Sequence, residues 1–580
     1  MNKTIIALCL GLAALTSCED QFTPADDNHL TFDEVYRSPS FAEGILMNAY
    51  SELPNYNYAS DIATDDAVTN NKDDSYLKMA TGQWSAINNP TSRWNDCYSA
   101  ILYLNKMIEV ADDINWAPIT GEPTNSMYKL RHVGEAYGLR AYFMFYLLQA
   151  HAGMSEDGTL LGVPIITESV DGDIKFDSPR DSFEDCVQQI LSDLTKAESL
   201  LPLDYKNVSD VSEIPTAYRE LGVSPDQYNV VCGNKTQQRI SGRILKGIRS
   251  KVTLLAASPA YGTMTWAEAA DAAAASLDLI GGISGLDPSG ALYYLGSQVD
   301  GLNVNSGNDQ AEMLWRGNVY QDNWMEQAQF PPTLYGEGRV NPSQNLVDAF
   351  PMANGYPITD TTNSEYDANN PYANRDPRLA AYVVYNGATL AGHVIDIEQN
   401  SGNDAVNAIS TSTRTGYYLR KLLREDTNLD PTLNTQQKRY SVYIRYTEIF
   451  LNYAEAANEA WGPDGKGTHT YSAKDVIAAI RQRAGLPEQD TYLESIQTKE
   501  DMRTLIHNER RLELCFEGFR FWDIRRWKAN LTEPARGITI ASGVLTNTTV
   551  EPRVYKDYMY YGPIPYQESL KFDLTQNKGW

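Results

Sequence analysis

The chain has 580 residues, of which 42% are hydrophobic and 21% charged, and its formal net charge at pH 7 is −27. This composition is typical of a folded globule rather than a disordered chain, and the length allows one elaborate domain or several. Because the neutralisation of phosphates needs a basic face, the strong acidity argues against nucleic acid as a partner and favours neutral ligands.

The first 17 residues have the pattern of a signal peptide. Lys3 precedes an apolar run from Ile5 to Leu15, which is too short for a permanent membrane-spanning helix. Small residues then lead to Cys18, in the order that precedes a lipidated cysteine in bacterial lipoproteins. We expect residues 1–17 to be removed, Cys18 to carry lipid, and residues 18–32 to form a linker. The alternative is an ordinary secretory signal with a chance cysteine nearby.

Amphipathic helical patterns occupy both ends of the remaining chain. Apolar residues recur in steps of three and four in the segments 128–153, 181–202, 243–262, 265–282, 443–462 and 473–487. Small residues face aromatic residues in several of these segments, which favours closely packed helix pairs similar to tetratricopeptide hairpins. No clean 34-residue period is present, so the periodicity alone predicts only helical hairpins.

The segment from about 283 to 437 has a different composition. It is rich in Gly, Asn, Pro and Tyr, with short strand-like runs. A segment of this length is too long for a structureless loop within a compact domain. We therefore expect it to fold against the helices and to carry function.

The cysteines and acidic runs do not indicate a metal site. Cys9 lies in the signal peptide, and no CxxC spacing links the widely separated Cys97, Cys186, Cys232 and Cys515. Buried free thiols are the favoured interpretation of these four, although the expected compartment permits disulfides and the sequence cannot pair them. The Asp-rich run at 65–74 lacks EF-hand spacing. No metal and no cofactor is predicted.

The stretch "ERRLELCFEGFRFWDIRRW" alternates acids, arginines and aromatics from Glu509 to Trp527. Glu509, Glu513 and Glu517 would share one helix face, where like charges cost roughly 0.2–0.5 kcal/mol per pair in an isolated helix. Such a segment is most easily stabilised when it is half-buried and its carboxylates are bridged by arginines of neighbouring elements. A catalytic site would need two acids in different environments of a cleft, and the stripe singles out no such pair. We predict a structural ion network and no enzyme.

The same stretch, extended as "IHNERRLELCFEGFRFWDIRRW", resembles the C-terminal signature of the SusD/RagB family of outer-membrane lipoproteins of Bacteroidetes. Five other stretches agree in order: "GEAYGLRAYFMFYLLQAHAG", "SFEDCVQQILSDLTKAESLLP", "YIRYTEIFLNYAEAANEA", "IRQRAGLP" and "YGPIPYQESLKFDLTQNKGW". With the lipidation pattern, the resemblance covers essentially the whole chain. It implies a mostly α fold, in which residues 33–580 form a single SusD-like domain of tetratricopeptide-like helix pairs with a loop-rich, short-strand ligand-binding region.

The resemblance also implies a function at the cell surface. A lipid-anchored protein of the outer membrane would capture an oligosaccharide or polysaccharide and deliver it to a SusC-like TonB-dependent transporter for import. Glu19 and Asp20, directly after the lipidation site, resemble the acidic sorting signal of surface lipoproteins. The alternative is a surface receptor for peptides or another nutrient in the same transporter system.

Two polar segments rich in aromatic residues are the candidate glycan sites. Sugar rings stack on aromatic faces, and their hydroxyls bond to carboxylates and amides. The first segment contains Trp84, Asp65, Asp66, Asn70 and Asp73, and the second contains Tyr320, Trp324 and Tyr335. The competing interpretation of each aromatic is a loop residue packed on its own scaffold. Trp94 and Trp315 are expected in the core.

Overall fold

The structure, a computed structural model, describes residues 38–169, 178–303, 309–572 and 574–580. The predicted signal peptide 1–17, the linker 18–32 and the lipidation site Cys18 lie outside the described residues. Within the described ranges, no helix combines the length and the apolar character that a bilayer crossing requires.

Helices dominate the chain. In chain order they are α1 Pro39–Ser51, α2 Ser75–Lys78, α3 Trp94–Val110, α4 Thr124–His151, α5 Phe183–Leu200, α6 Thr216–Arg219, α7 Pro225–Cys232, α8 Gly242–Ala257, α9 Trp266–Leu277, α10 Gly296–Val299, α11 Trp324–Gln329, α12 Gln344–Ala349, α13 Pro377–Tyr382, α14 Tyr446–Trp461, α15 Ala473–Arg483, α16 Thr491–Ser495, α17 Lys499–Glu513, α18 Arg520–Arg526 and α19 Tyr566–Phe572. The mostly α, single-domain fold predicted from the sequence is confirmed.

The long helices pack in sequence, each on the one before it. The pairs run α3 with α4, α4 with α5, α5 with α8, α8 with α9, α9 with α14, and α14 with α15 and α17. Small residues make the close approaches: a Cβ on Gly138 of α4 would come within 2.7 Å of Leu245 on α8. Ala454, Ala456 and Ala457 of α14 are fully buried. These contacts confirm the predicted packing of small residues at helix interfaces.

The strands are short and form two-stranded antiparallel ribbons. They are β1 Ala67–Thr69, β2 Gly153–Met154, β3 Leu160–Leu161, β4 Met313–Arg316, β5 Tyr320–Asp322, β6 Val340–Pro342, β7 Val383–Val384, β8 Thr389–Leu390, β9 His393–Val394, β10 Tyr418–Leu419, β11 Gln437–Arg439, β12 Val442–Arg445, β13 Ala535–Ala541 and β14 Val544–Glu551. The pairs are β1 with β6, β2 with β3, β4 with β12, β5 with β11, β7 with β10, β8 with β9, and β13 with β14.

The middle region folds against the helical scaffold, as predicted. The ribbons β4–β12 and β5–β11 join the two ends of this region next to the start of α14. Its apolar residues, including Phe330 and Tyr418, form a core cluster with Leu512 of α17 and with Phe516 in the turn after that helix. Trp315 on β4 is 2% exposed and Trp94 on α3 is 6% exposed, so both core predictions are confirmed.

A buried ion network surrounds the end of α17. Glu509 pairs with Arg481 at 2.7 Å, Glu513 with Arg483 at 3.0 Å, and Glu517 with Lys421 and Arg445 at 2.7 and 2.8 Å. Burial alone would raise the pKa of Glu513, but the surrounding cations, Arg483 and Arg378 foremost, lower it to about 2.

The predicted structural role of the acidic stripe is therefore confirmed, with one correction. Helix α17 ends at Glu513, and Phe516 adopts a φ of 62° in the following turn. Glu517 consequently leaves the helix face that the sequence spacing had suggested.

The four cysteines beyond the N-terminal segment are free and buried. Burial raises the pKa of Cys186, Cys232 and Cys515 to about 12, so these thiols stay protonated at neutral pH. The prediction of buried free thiols is confirmed.

Candidate functional site

Trp84 lies in a core cluster and not on a ligand surface. Its ring is 4% exposed and makes edge contacts with Phe521, Tyr555 and Trp580, with centroids 5.7, 6.1 and 4.7 Å away. The indole N–H donates to Asn89 at 2.9 Å. A ring this deeply buried has no open face for a sugar, so the expectation of a sugar-stacking Trp84 is corrected to a core role.

Asp65 and Asp66 act as clamps between the first segment and the C-terminal helices. Asp65 pairs with Arg511 and Arg520, both at 2.9 Å, and Asp66 accepts from the Arg511 Nε at 2.6 Å. Burial opposes ionisation, but the two guanidinium groups hold the pKa of Asp65 below its ordinary value. These carboxylates are committed to ion pairs, which corrects their expected role in contacting sugar hydroxyls.

Asn70 and Asp73 lie apart from Tyr320 and Trp324 of the second candidate segment. The Asn70 amide donates to the carbonyl oxygens of Glu337 and Gly338, both at 2.9 Å, beside a separate polar groove. The Asp73 side chain is 95% exposed and lies 3.6 Å from Lys78. The structure does not bring these two residues together with Trp324.

Tyr320 and Trp324 line one open cavity of about 170 Å³, which we call the aromatic cavity. Their side chains are 38% and 46% exposed. Around them lie further tyrosines, amides and arginines: Asn55, Tyr56, Asn57, Tyr58, Tyr293, Tyr294, Arg424, Arg439 and Tyr440, with Val299, Met325, Leu422, Ser441 and Val442 completing the lining. Exposed rings next to hydrogen-bonding groups are the surface that a sugar recognises.

Local structure fixes the two exposed rings. Tyr320 opens strand β5 and pairs in register with Arg439 of β11. Trp324 is the first residue of α11, and the side chain of the preceding Asn323 donates to Asn434 and to the Thr435 carbonyl at 2.8 and 2.9 Å. Because Asn323 is itself buried, the base of Trp324 is held rigidly although its ring is exposed.

Tyr58 also lines the aromatic cavity, where its ring stacks on that of Trp324. The two ring planes lie within 26° of parallel, with centroids 6.4 Å apart. Tyr58 begins the 3-10 helix Tyr58–Ala63, which Asn57 caps by accepting from the Ala59 N–H at 2.8 Å. Burial raises the pKa of the Tyr58 hydroxyl, which therefore stays a neutral hydrogen-bonding group.

The cations of the aromatic cavity are already neutralised. Arg439 donates to both oxygens of Glu326 at 2.8 and 2.6 Å, and its Nε lies 2.8 Å from Asp322. Arg424 pairs with Asp426 at 2.7 Å and with Asp300 at 3.1 Å. The aromatic cavity thus offers a ligand aromatic faces and amides rather than net charge.

Tyr335 lies outside the lining of the aromatic cavity. It is 60% exposed, and its hydroxyl donates to Asp430 at 3.4 Å. Its φ of 63° is an uncommon conformation for a bulky residue, and such outliers cluster at ligand-binding sites. Tyr335 stays a candidate for contacts beyond the aromatic cavity.

The sequence interpretation missed the loop Asn55–Tyr58. Its alternating "NYNY" places amides and tyrosines side by side directly after Pro54. That alternation outside any helical pattern was a usable signal for a sugar-binding surface. The contact between Tyr58 and Trp324 could not be predicted from the sequence, because 266 positions separate the two residues.

Family models of SusD-type proteins match both the N-terminal and the C-terminal part of the chain. The family model described as "SusD family" matches residues 301–580, and the one described as "Starch-binding associating with outer membrane" matches residues 27–218. SusD-like protein P38 of Formosa agariphila is 22% identical over 576 residues, covering 92% of this chain and 93% of that protein.

Solved structures of similar proteins share the fold. A SusD-like protein of Bacteroides fragilis superposes with a TM-score of 0.71 at 23% identity, covering 96% of this chain and 100% of that chain. A SusD-like carbohydrate binding protein of the same species gives a TM-score of 0.67 at 20% identity, covering 93% and 99%.

Proposed function

Because this chain belongs to the SusD-like family, we propose that it captures an oligosaccharide or polysaccharide in the aromatic cavity. The observation that carries the proposal is the convergence of Trp324, Tyr320 and Tyr58 on one open cavity with amide side chains beside them. One of the similar Bacteroides fragilis structures is that of a carbohydrate binding protein, which supports the same class of ligand.

The proposed site binds its ligand without cleaving it. Hydrolysis of a glycosidic bond ordinarily needs two carboxylates placed on either side of that bond. No Asp or Glu is among the described residues that line the aromatic cavity. Asp322 and Glu326, which lie behind it, are paired with Arg439. This arrangement supports capture rather than catalysis.

The affinity should be modest. Sugar hydroxyls exchange hydrogen bonds with water for hydrogen bonds with protein at little net gain, so stacking supplies the decisive contribution. We expect a dissociation constant on the order of micromolar to millimolar.

A polysaccharide panel tests this proposal. The full chain, purified in detergent, is run through native gels that each contain one polysaccharide, with bovine serum albumin as the non-binding control. We expect retardation by at least one polysaccharide and no release of reducing sugar on long incubation. Binding to a peptide library with no retardation in any gel would favour the alternative receptor, and sugar release would contradict a non-catalytic role.

We further propose that Cys18 carries the lipid anchor and that a SusC-like TonB-dependent transporter receives the ligand for import. Both follow from the family resemblance and the N-terminal pattern. Cys18→Ala should release the protein from the outer-membrane fraction. A tag after Trp580 should recover the transporter in mild detergent. Continued fatty-acid labelling of Cys18→Ala, or recovery of the lipoprotein alone while the transporter is expressed, would overturn the respective proposal.

A further inference from the structure

The loop Asn55–Tyr58 separates the aromatic cavity from a second, smaller cavity. This second cavity, which we call the substituent cavity, is lined by the charged residues Arg93, Lys251 and Glu517 and by hydrogen-bonding residues that include Asn55, Gln149 and Trp522. Asn55, Tyr56 and Asn57 line both cavities. We infer that the substituent cavity accepts an acidic substituent, a carboxylate or a sulfate, of the glycan held in the aromatic cavity. This inference rests on the proposed function.

The size of the substituent cavity suits a substituent better than a sugar ring. Its volume is about 70 Å³, against about 170 Å³ for the aromatic cavity. A cavity needs roughly 10–15 Å³ of such volume for each water molecule. The space therefore accommodates a few waters, or one compact group of the size of a carboxylate or sulfate.

Arg93 is the uncompensated cation of the substituent cavity. No carboxylate of the described residues lies within ion-pair distance of it, and its Nε is buried without a hydrogen-bond partner. In contrast, Arg424 and Arg439 of the aromatic cavity are each paired with acids. An unpaired guanidinium presents a donor fork whose geometry matches a carboxylate or a sulfate.

The other charged residues of the substituent cavity are compensated. Lys251 pairs with Glu448 at 2.5 Å, and Glu517 is held by Lys421 and Arg445 at 2.7 and 2.8 Å. The charge of Arg93 therefore remains for a ligand. An anion bound there would gain a charge-assisted hydrogen bond without displacing an internal partner.

Further hydrogen-bond donors line the same space. Within the described ranges, the amides of Asn55 and Gln149 and the indole N–H of Trp522 form no hydrogen bond through their side chains. An ionised carboxylate or a sulfate only accepts hydrogen bonds, so a set of free donors suits it. Backbone support is in place as well, because the Arg93 N–H donates to His151 at 3.1 Å.

The net charge of −27 does not oppose this local recognition. At physiological ionic strength the Debye length is about 8 Å, so distant acids are screened from a ligand in the cavity. The glycan can therefore carry one acidic group next to the unpaired Arg93, while its neutral part lies in the aromatic cavity.

A glycan array with neutral, uronic-acid and sulfated oligosaccharides tests the inference on the detergent-purified full chain. Arg93→Gln removes the charge, Trp522→Phe removes one donor, and Arg536→Gln is the control, since Arg536 is an arginine on β13 that lines neither cavity. We expect the parent protein to bind acidic glycans. Arg93→Gln should bind them at least tenfold more weakly, and Arg536→Gln should bind them with unchanged affinity. Trp522→Phe should weaken acidic ligands severalfold. The uronic-acid and sulfated arms identify which acid is preferred.

The other outcomes of the array contradict either the inference about the substituent cavity or the proposed function. Binding of neutral glycans alone, or acidic glycans that bind Arg93→Gln and Trp522→Phe as well as the parent, would overturn the inference and leave the proposed function intact. Binding of no glycan at all would overturn the proposed function, and the inference with it. Melting curves of each variant verify that losses in binding are not losses of fold.

Discussion

At the scale of single residues, the tryptophans of the two candidate segments occupy opposite environments. Trp84 is enclosed by Phe521, Tyr555 and Trp580, whereas Trp324 presents nearly half of its surface to solvent. A buried tryptophan contributes to the free energy of unfolding, and an exposed one on a rigid base contributes to ligand stacking. The two substitutions should therefore separate stability from binding.

We predict that Trp324→Ala weakens glycan binding about tenfold, because loss of one stacking ring costs roughly 1–2 kcal/mol. Its melting temperature should stay nearly unchanged. Trp84→Ala should instead lower the free energy of unfolding by about 3–5 kcal/mol and leave the affinity of the folded fraction intact. Isothermal titration calorimetry and thermal melts measure the two effects. An unchanged affinity in Trp324→Ala would contradict the assignment.

The difference between these tryptophans was not predictable from the sequence. Both stand in polar stretches with amides and acids nearby. What buries Trp84 is a group of residues from 521 to 580, more than 430 positions away. Spacing along the chain carries no signal for such a contact, whereas Trp94 and Trp315 were identified as core because a helical period and a strand run surround them.

At the scale of elements, the segment from Asn55 to Thr69 is positioned by its acids. The 3-10 helix Tyr58–Ala63 and strand β1 carry Tyr58 to the aromatic cavity. Asp65, between these two elements, pairs with Arg511 of α17 and Arg520 of α18. Asp65 and Asp66 were expected to contact sugar hydroxyls. Their ion pairs instead fix the position of the 3-10 helix that begins at Tyr58.

We predict that Asp65→Asn loosens this segment, because Arg511 and Arg520 lose a buried partner, a change that typically costs about 3–5 kcal/mol. Amide hydrogen exchange should increase in residues 57–69 more than in α14, and glycan affinity should fall although Asp65 lines neither cavity. Asp73→Asn is the matched control, since that carboxylate is 95% exposed. Equal exchange in Asp65→Asn and the parent would refute the clamp.

At the scale of the whole molecule, the ion network around α17 joins the helical scaffold to the middle region. Glu513 contacts both Arg378 of the middle region, at 3.2 Å, and Arg483 of α15, at 3.0 Å. The amphipathic periods and the acid–arginine stretch were enough to predict the mostly α class and a structural role for these charges. The partners were not predictable, because pairing across 135 positions depends on the completed fold.

We predict that Glu513→Ala lowers the melting temperature by several degrees and leaves glycan affinity unchanged once the protein is folded. Removing one partner of a buried network typically costs about 3–5 kcal/mol. Glu500→Ala, at an exposed position on the same helix, should have little effect. If Glu513→Ala melts like the parent yet loses glycan binding, the network is part of a binding site and the structural assignment is wrong.

The most direct test of the aromatic cavity is a crystal structure of the protein with the tightest-binding oligosaccharide from the panel. We predict that a sugar ring lies against Trp324, with hydroxyls within hydrogen-bond distance of the Asn55 or Asn57 amides. Tyr58, which stacks beside Trp324, should contact the same ligand. Well-ordered sugar density confined to another surface, such as the polar groove beside Asn70, with the aromatic cavity empty, would contradict the account.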